Sequence, residues 1–190
     1  MKKDIIYFEK AGRRNTDDVI AAVAARADEL DIRHVVVAST SGETARKFNE
    51  ALRGRGISVV CVTLHAGWKE KDHKFLSDEA RRRLEADGIR VVMSIHALSG
   101  VGRSISDKFG TISHVEIIAH VLKLMGEGMK VAVEVSVMAA DAGAIPTDRE
   151  IIAVGGSGSG ADTAIVLKAA HQNNFFDLEI REIIAMPRKK

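Results

Sequence analysis

The sequence predicts an α/β fold: a largely parallel sheet with helices on both faces. Three observations carry this. Buried-looking apolar runs alternate with helical stretches along the chain, the order that builds parallel sheets. Runs such as His34-Val35-Val36-Val37-Ala38 and Ile151-Ile152-Ala153-Val154 are continuous in apolar character, as in strands covered on both sides. Two glycine- and hydroxyl-rich loops directly follow these runs: Ser39-Thr40-Ser41-Gly42-Glu43-Thr44 and Gly155-Gly156-Ser157-Gly158-Ser159-Gly160. Loops at the carboxyl ends of strands are where open α/β sheets bind ligands.

In chain order, Asn15-Thr16-Asp17-Asp18 reads as a helix start, with a capping residue followed by acids in the first turn. The Ala-rich run to Leu30 continues that helix. The strand at 34–38 leads into a helix from Glu43 to about Arg53, ended by Gly54 and Gly56. A strand is expected at 57–63, a polar loop at 64–74, a charged helix at 78–86 closed by Gly88, and a strand at 89–95. Residues 96–110 read as a long connection and 115–125 as a helix. The run 129–143 fits two patterns. Val131, Val133, Val135 and Val137 alternate as in a strand, while Val131, Val135, Met138 and Ala142 form a helical face. Its length and the stop signal of Gly143 and Pro146 favour a helix. A strand at 150–154 follows, then a run at 163–169 of either type and a short apolar element at 179–186.

With 190 residues and no Pro-rich linker or internal repeat, one domain spanning 1–190 is expected. A net charge of +2 predicts no strong attraction to nucleic acid or to a membrane surface. No stretch reaches the ~20 apolar residues of a membrane span. Glu9 and Lys10 cut the first apolar run too short for a signal peptide. The single Cys61 sits within an apolar run, which excludes an internal disulfide and fits a reducing cytoplasm. It reads as a core residue rather than a nucleophile.

The first loop offers four hydroxyls, from Ser39, Thr40, Ser41 and Thr44, at a strand-to-helix turn that includes Gly42 and Glu43. Free N–H groups and the helix dipole there suit a phosphate, although hydroxyls at such a turn can also serve as ordinary caps. A phosphate-bearing small molecule is the expected ligand. In the second loop, Gly156, Gly158 and Ala161 match the Gly-x-Gly-x-x-Ala dinucleotide fingerprint, which requires a helix immediately after it. The rival readings are a glycine loop lining the ligand, with Gly155 in its backbone and Asp162 and Thr163 as polar contacts, or a plain tight turn. His65 and Trp68 follow the second strand and could stack on a planar ring. Arg103, in Gly100-Val101-Gly102-Arg103-Ser104, could pair with a phosphate or lie in a solvated connector. The histidines lack metal-ligand spacing, so no metal site is expected, and no catalytic residue can be assigned. Self-association is expected, because the apolar helices at 19–30, 115–125 and 131–142 must be covered.

Several stretches together resemble a known family. The segment HVVVASTSGETARKFNEALRGRGISVVCVT from His34 to Thr63 looks like the C-terminal α/β domain of pyruvate kinases. The segment AADAGAIPTDREIIAVGGSGSGADTAIVL from Ala139 to Leu167 is similar to the same domain's last helix, strand, glycine loop and terminal strand. The whole chain resembles more closely the stand-alone archaeal-type proteins built on that domain. It shares their Gly12 to Thr16 motif and their ASTSGETA, HALSGV, VMAADAG, GADTA and NNFFDL stretches. The resemblance implies a three-layer α/β/α fold whose mixed sheet is mostly parallel, with a last strand at about 163–167 that runs antiparallel. It also implies a helix at 129–143. In pyruvate kinases this domain holds a regulatory sugar phosphate, gripped by the loop that corresponds to Ser39, Thr40, Ser41, Gly42 and Thr44. Glu43 departs from the basic residue common in the sugar-phosphate-regulated enzymes and weighs against fructose bisphosphate. The stand-alone proteins imply flavin mononucleotide (FMN) as the cofactor. Two functions follow as expectations. One is an FMN-binding protein or flavoprotein of unknown reaction; the alternative is a non-catalytic sugar-phosphate-sensing module. The barrel that carries pyruvate kinase chemistry has no counterpart in the resemblance, so the chain by itself is not expected to be a pyruvate kinase.

Overall fold

A computed structural model describes residues 2–189. Among the described residues, seven strands form one sheet: β1 (Ile6–Phe8), β2 (His34–Ala38), β3 (Ser58–Thr63), β4 (Arg90–Met93), β5 (Glu150–Gly155), β6 (Thr163–Lys168) and β7 (Glu179–Pro187). Their order is β1-β7-β6-β5-β2-β3-β4. β2, β3, β4 and β5 are mutually parallel. β6 is antiparallel to both β5 and β7, and β1 pairs parallel with β7. The antiparallel strand expected at 163–167 is therefore β6. It is not the end of the sheet, because the 179–186 element extends it as β7 and the N-terminal residues add β1.

Among the described residues, six α-helices cover the two faces: α1 (Thr16–Leu30), α2 (Glu43–Leu52), α3 (Asp78–Ala86), α4 (Val101–Phe109), α5 (His114–Leu122) and α6 (Glu127–Asp141). Val19, Val23 and Ala27 of α1, Phe48 and Leu52 of α2 and Leu84 of α3 pack with Val35, Val37, Val59 and Ile152 on one face. On the other face, Met129, Val133 and Met138 of α6 pack with Val36, Val60, Ile151 and Ile165. Successive strand residues thus feed opposite cores, so both-face burial explains the unbroken apolar runs. None of the described helices is long and apolar enough to cross a membrane.

The 129–143 run is helical, as expected. Its valines alternate because nearly the whole circumference of α6 is buried: residues Gly128–Met129–Lys130 and Ala132 through Ala140 are all interior. A helix covered all round can carry apolar residues at any spacing, so a period of two is accidental there. This burial lies within one chain, and α6 therefore gives no reason to invoke a partner. Residues 101–109, expected to be part of a connector, form α4. The helix buries no residue of its own. It is held to α5 through Ser106, whose hydroxyl donates to Glu116 Oε2, while Ser113 and Glu116 form a capping box. Val101, Ile105 and Phe109 of α4 recur at helical spacing, but they face outward rather than into the core.

The chain runs outward from β2 to β3 to β4 and then returns to the other side of β2 as β5. Two loops leaving adjacent parallel strands in opposite directions open a crevice at their carboxyl ends, the switch point of an α/β sheet. The 39–44 loop and the 155–160 loop flank this crevice.

Candidate functional site

A cavity of about 640 Å³ occupies the switch point. The first loop forms one wall through Ser39, Thr40, Ser41, Glu43 and Thr44. That loop is pinned to β3: Ser39 N–H donates to Val62 O at 2.9 Å, and Thr63 Oγ1 donates to Thr40 O at 2.8 Å. Ser39 Oγ accepts from Ala45 N–H at 3.3 Å inside the first turn of α2. Arg13 and Lys47 add cations to the wall. The acid Glu43 lies 3.7 Å from Arg13. Lys47 is itself paired with Asp17 at 3.3 Å, and Glu127 and Glu134 also line the cavity, so its wall mixes hydroxyls, cations and acids around the start of α2.

Gly42 does not line this cavity. Its φ of 85° requires glycine, and a Cβ there would come within 2.5 Å of Leu84 Cδ1. A side chain there would be driven into the core beneath α3, and glycine is what lets the chain turn into α2.

The second loop divides in the same way. Gly156, Gly158, Ser159 and Gly160 reach the cavity, whereas Gly155, Asp162 and Thr163 lie behind it. Asp162 is fully buried. Its Oδ2 accepts from Gly12 N–H at 2.9 Å and Ser157 N–H at 3.0 Å, and its Oδ1 accepts from Thr163 Oγ1 at 2.9 Å. The carboxylate ties the loop to the N-terminal segment. A Cβ on Gly155 would sit 2.1 Å from Gly128 O, and one on Gly128 would sit 2.2 Å from Thr163 Oγ1. These glycines let α6 approach β5 and β6. The loop runs into β6 rather than a helix, so it lacks the helix N-terminus that the dinucleotide fingerprint needs.

Past β3 and β4 the wall becomes aromatic. Trp68 and His96 line the cavity with ring centroids 4.8 Å apart. His65 meets both rings edge-on at 5.3 Å but lies outside the main cavity. It borders a shallower hollow with Trp68, Ser99, Arg103 and Lys108. Arg103 lies over Trp68, its guanidinium carbon 4.8 Å from the ring centroid, so α4 is strapped to the cavity rim by a cation–π contact.

Sequence reading missed His96, Lys130 and Glu134. Glu134 is 3% exposed. Its Oε1 accepts from Leu98 N–H at 2.9 Å, its Oε2 accepts from Lys130 Nζ at 2.5 Å, and His96 Nδ1 stands 3.7 Å away. Burial pushes the Glu134 carboxyl up, but His96 and Lys130 beside it outweigh burial and bring it down to about 2. It is a carboxylate. The signal was present: Lys130 and Glu134 are an i,i+4 charge pair in an otherwise apolar helix.

The pyruvate kinase alpha/beta domain family matches residues 17–167. Among solved structures, a pyruvate kinase from Cryptosporidium parvum is 14% identical with a TM-score of 0.43, over 82% of this chain and 23% of that one. The Cryptosporidium parvum pyruvate kinase in complex with ADP is 15% identical with a TM-score of 0.40, over 87% and 23%. The chain thus spans about a quarter of the length of these enzymes. The family match runs from the start of α1 to the end of the antiparallel strand and includes both loops of the cavity, and the chain belongs to the pyruvate kinase alpha/beta domain family.

Proposed function

We propose that the cavity binds FMN, with the phosphate on the 39–44 loop. The observation that carries this is the hydroxyl-rich start of α2, with Arg13 and Lys47, opening onto a cavity of about 640 Å³. The remaining donor set fits the rest of the molecule. Val62, Leu64, Val135 and Met138 supply apolar contact, Trp68 supplies an aromatic face, and His96 brings two buried ring nitrogens without hydrogen-bond partners among the described residues. The flavin, when bound, supplies electron-transfer chemistry; the chain anchors the phosphate, orients the ring and excludes water. The alternative, a sugar-phosphate sensor, would use the same loop but leave the Trp68–His96 wall unused. The buried thiol of Cys61 supports a cytoplasmic setting.

Trp68 is the sole tryptophan of the chain and lies in the cavity wall, so its fluorescence reports occupancy. FMN is expected to quench it saturably and more tightly than riboflavin, with fructose bisphosphate competing weakly or not at all. Equal affinity for FMN and riboflavin refutes the phosphate anchor, and tighter binding of fructose bisphosphate than of FMN favours the sensor.

We also propose self-association through the face of α4 and α5, where Val101, Phe109, Ile112, Ile117, Val121 and Leu124 are all more than half exposed. Sedimentation equilibrium at micromolar concentration is expected to give a mass above that of one chain. A single-chain mass throughout refutes it.

A further inference from the structure

His96 follows β4 at the carboxyl edge of the sheet and is 8% exposed, yet neither ring nitrogen has a hydrogen-bond partner among the described residues. A buried polar group left unpaired costs about 1–3 kcal/mol, so such a group in a cavity wall calls for a partner that arrives with the ligand. Its surroundings are built. Glu134 clamps the same loop through Leu98 N–H, two residues beyond His96, and holds its carboxylate 3.7 Å from Nδ1. The charged and titratable groups around the imidazole are Glu134 and Lys130 from α6, Glu127 at the start of α6 in the cavity wall, His65 at 5.3 Å, and Arg103 of α4 across Trp68. Lys130 and Glu134 offset each other. A carboxylate beside one nitrogen orients an imidazole, while the other nitrogen remains available to a ligand.

We propose that His96 is the proton-exchanging residue of this cavity, taking up a proton when the bound flavin ring gains an electron pair and releasing it on oxidation, with Glu134 as its positioning residue. The inference rests on the flavin reading above. In the measurement below, two electrons enter from dithionite through a mediator dye; one proton goes to the ring, and a second goes from solvent to His96, which becomes imidazolium. On oxidation, the oxidised mediator dye takes both electrons and both protons return to solvent. The new positive charge then faces the negative charge gained by the ring.

The test is the pH dependence of the midpoint potential of FMN bound to the whole protein, measured with dithionite and mediator dyes. Each proton taken up with two electrons shifts that potential by about 30 mV per tenfold change in proton concentration. Around neutral pH the wild type is expected to have a slope steeper by about 30 mV per pH unit than His96→Asn, with Glu134→Gln in between. Slopes are compared at saturating FMN, with the FMN affinity of each variant measured separately. Equal slopes in wild type and His96→Asn with FMN bound overturn the role of His96 and leave the flavin reading standing. Failure of the wild type to bind FMN overturns both. Should His96→Asn not fold, ring-¹³C-histidine spectra of the wild type decide: the His96 signal must move to its imidazolium position on reduction, and a signal that stays put overturns the inference.

Discussion

Lys130→Met tests how the cavity wall is held together. Lys130 is 8% exposed and Glu134 3%, and the two are joined within the first half of α6. Methionine keeps most of the apolar stem and deletes the charge. Glu134 is then a buried carboxylate with Leu98 N–H as its remaining close donor. Breaking one side of a buried pair costs about 3–5 kcal/mol, and the surviving backbone donor places the expectation near the low end, about 3 kcal/mol. For a chain of this size, that is a Tm drop of roughly 6–12 °C. The pH dependence has a definite sign. The Glu134 carboxyl is lowered from 4.5 to about 2, so the stability it contributes is complete above pH 4.5 and is lost as pH falls towards 2. The Lys130→Met deficit should accordingly be largest at neutral pH and shrink below pH 4.5. The double variant Lys130→Met/Glu134→Gln keeps an amide oxygen for Leu98 N–H and removes the stranded charge. It should lie within about 1 kcal/mol of wild type. Urea unfolding followed by circular dichroism at pH 7 and pH 3.5 measures all three proteins. A single variant within 1 kcal/mol of wild type at pH 7, or a double variant no better than the single, refutes the reasoning.

Three further outcomes are expected. Asp162→Ala strips the carboxylate from the Gly12, Ser157 and Thr163 donors and should cost about 3 kcal/mol, with faster amide exchange at Ser157; a loss under 1 kcal/mol in thermal melts contradicts this. Gly42→Val places a β-branched residue at a φ of 85° against Leu84, so it should destabilise the fold by roughly 2–4 kcal/mol rather than merely crowd a phosphate; an unchanged urea midpoint would show that α2 begins differently. Burial pushes the Cys61 thiol up to about 12, so aromatic disulfide reagents should label the native protein far more slowly than the urea-unfolded chain; equal rates contradict that placement.

The architecture was legible because both-face burial writes itself locally. Strands β2, β3 and β5 are unbroken apolar runs, and their helices begin at hydroxyl or acidic residues and end at glycines. The 39–44 loop could be placed at the carboxyl edge from its neighbours in sequence alone, and the structure puts Ser39, Thr40, Ser41 and Thr44 in the cavity wall. Two elements were not read from the sequence: α4, whose Val101, Ile105 and Phe109 repeat at helical spacing over just nine residues of what reads as a connector, and β1, which is three residues long.

The sequence by itself determined the layering of this protein and the edge of the sheet at which its cavity opens, because hydrophobic periodicity and turn chemistry are properties of neighbouring residues. Only the tertiary structure decided what faces that cavity. Glycine and aspartate look alike in sequence whether they meet a ligand or a helix. Here Gly155 yields to the backbone of Gly128, and Asp162 is consumed by donors at Gly12 and Ser157, which belong to opposite ends of the chain. His96 and Glu134 come together because α6 packs on the sheet face to which Val92 of β4 contributes. Which side chains meet across such distances depends on strand order and helix rotation, and these are fixed by the fit of the whole core rather than by any local run of residues.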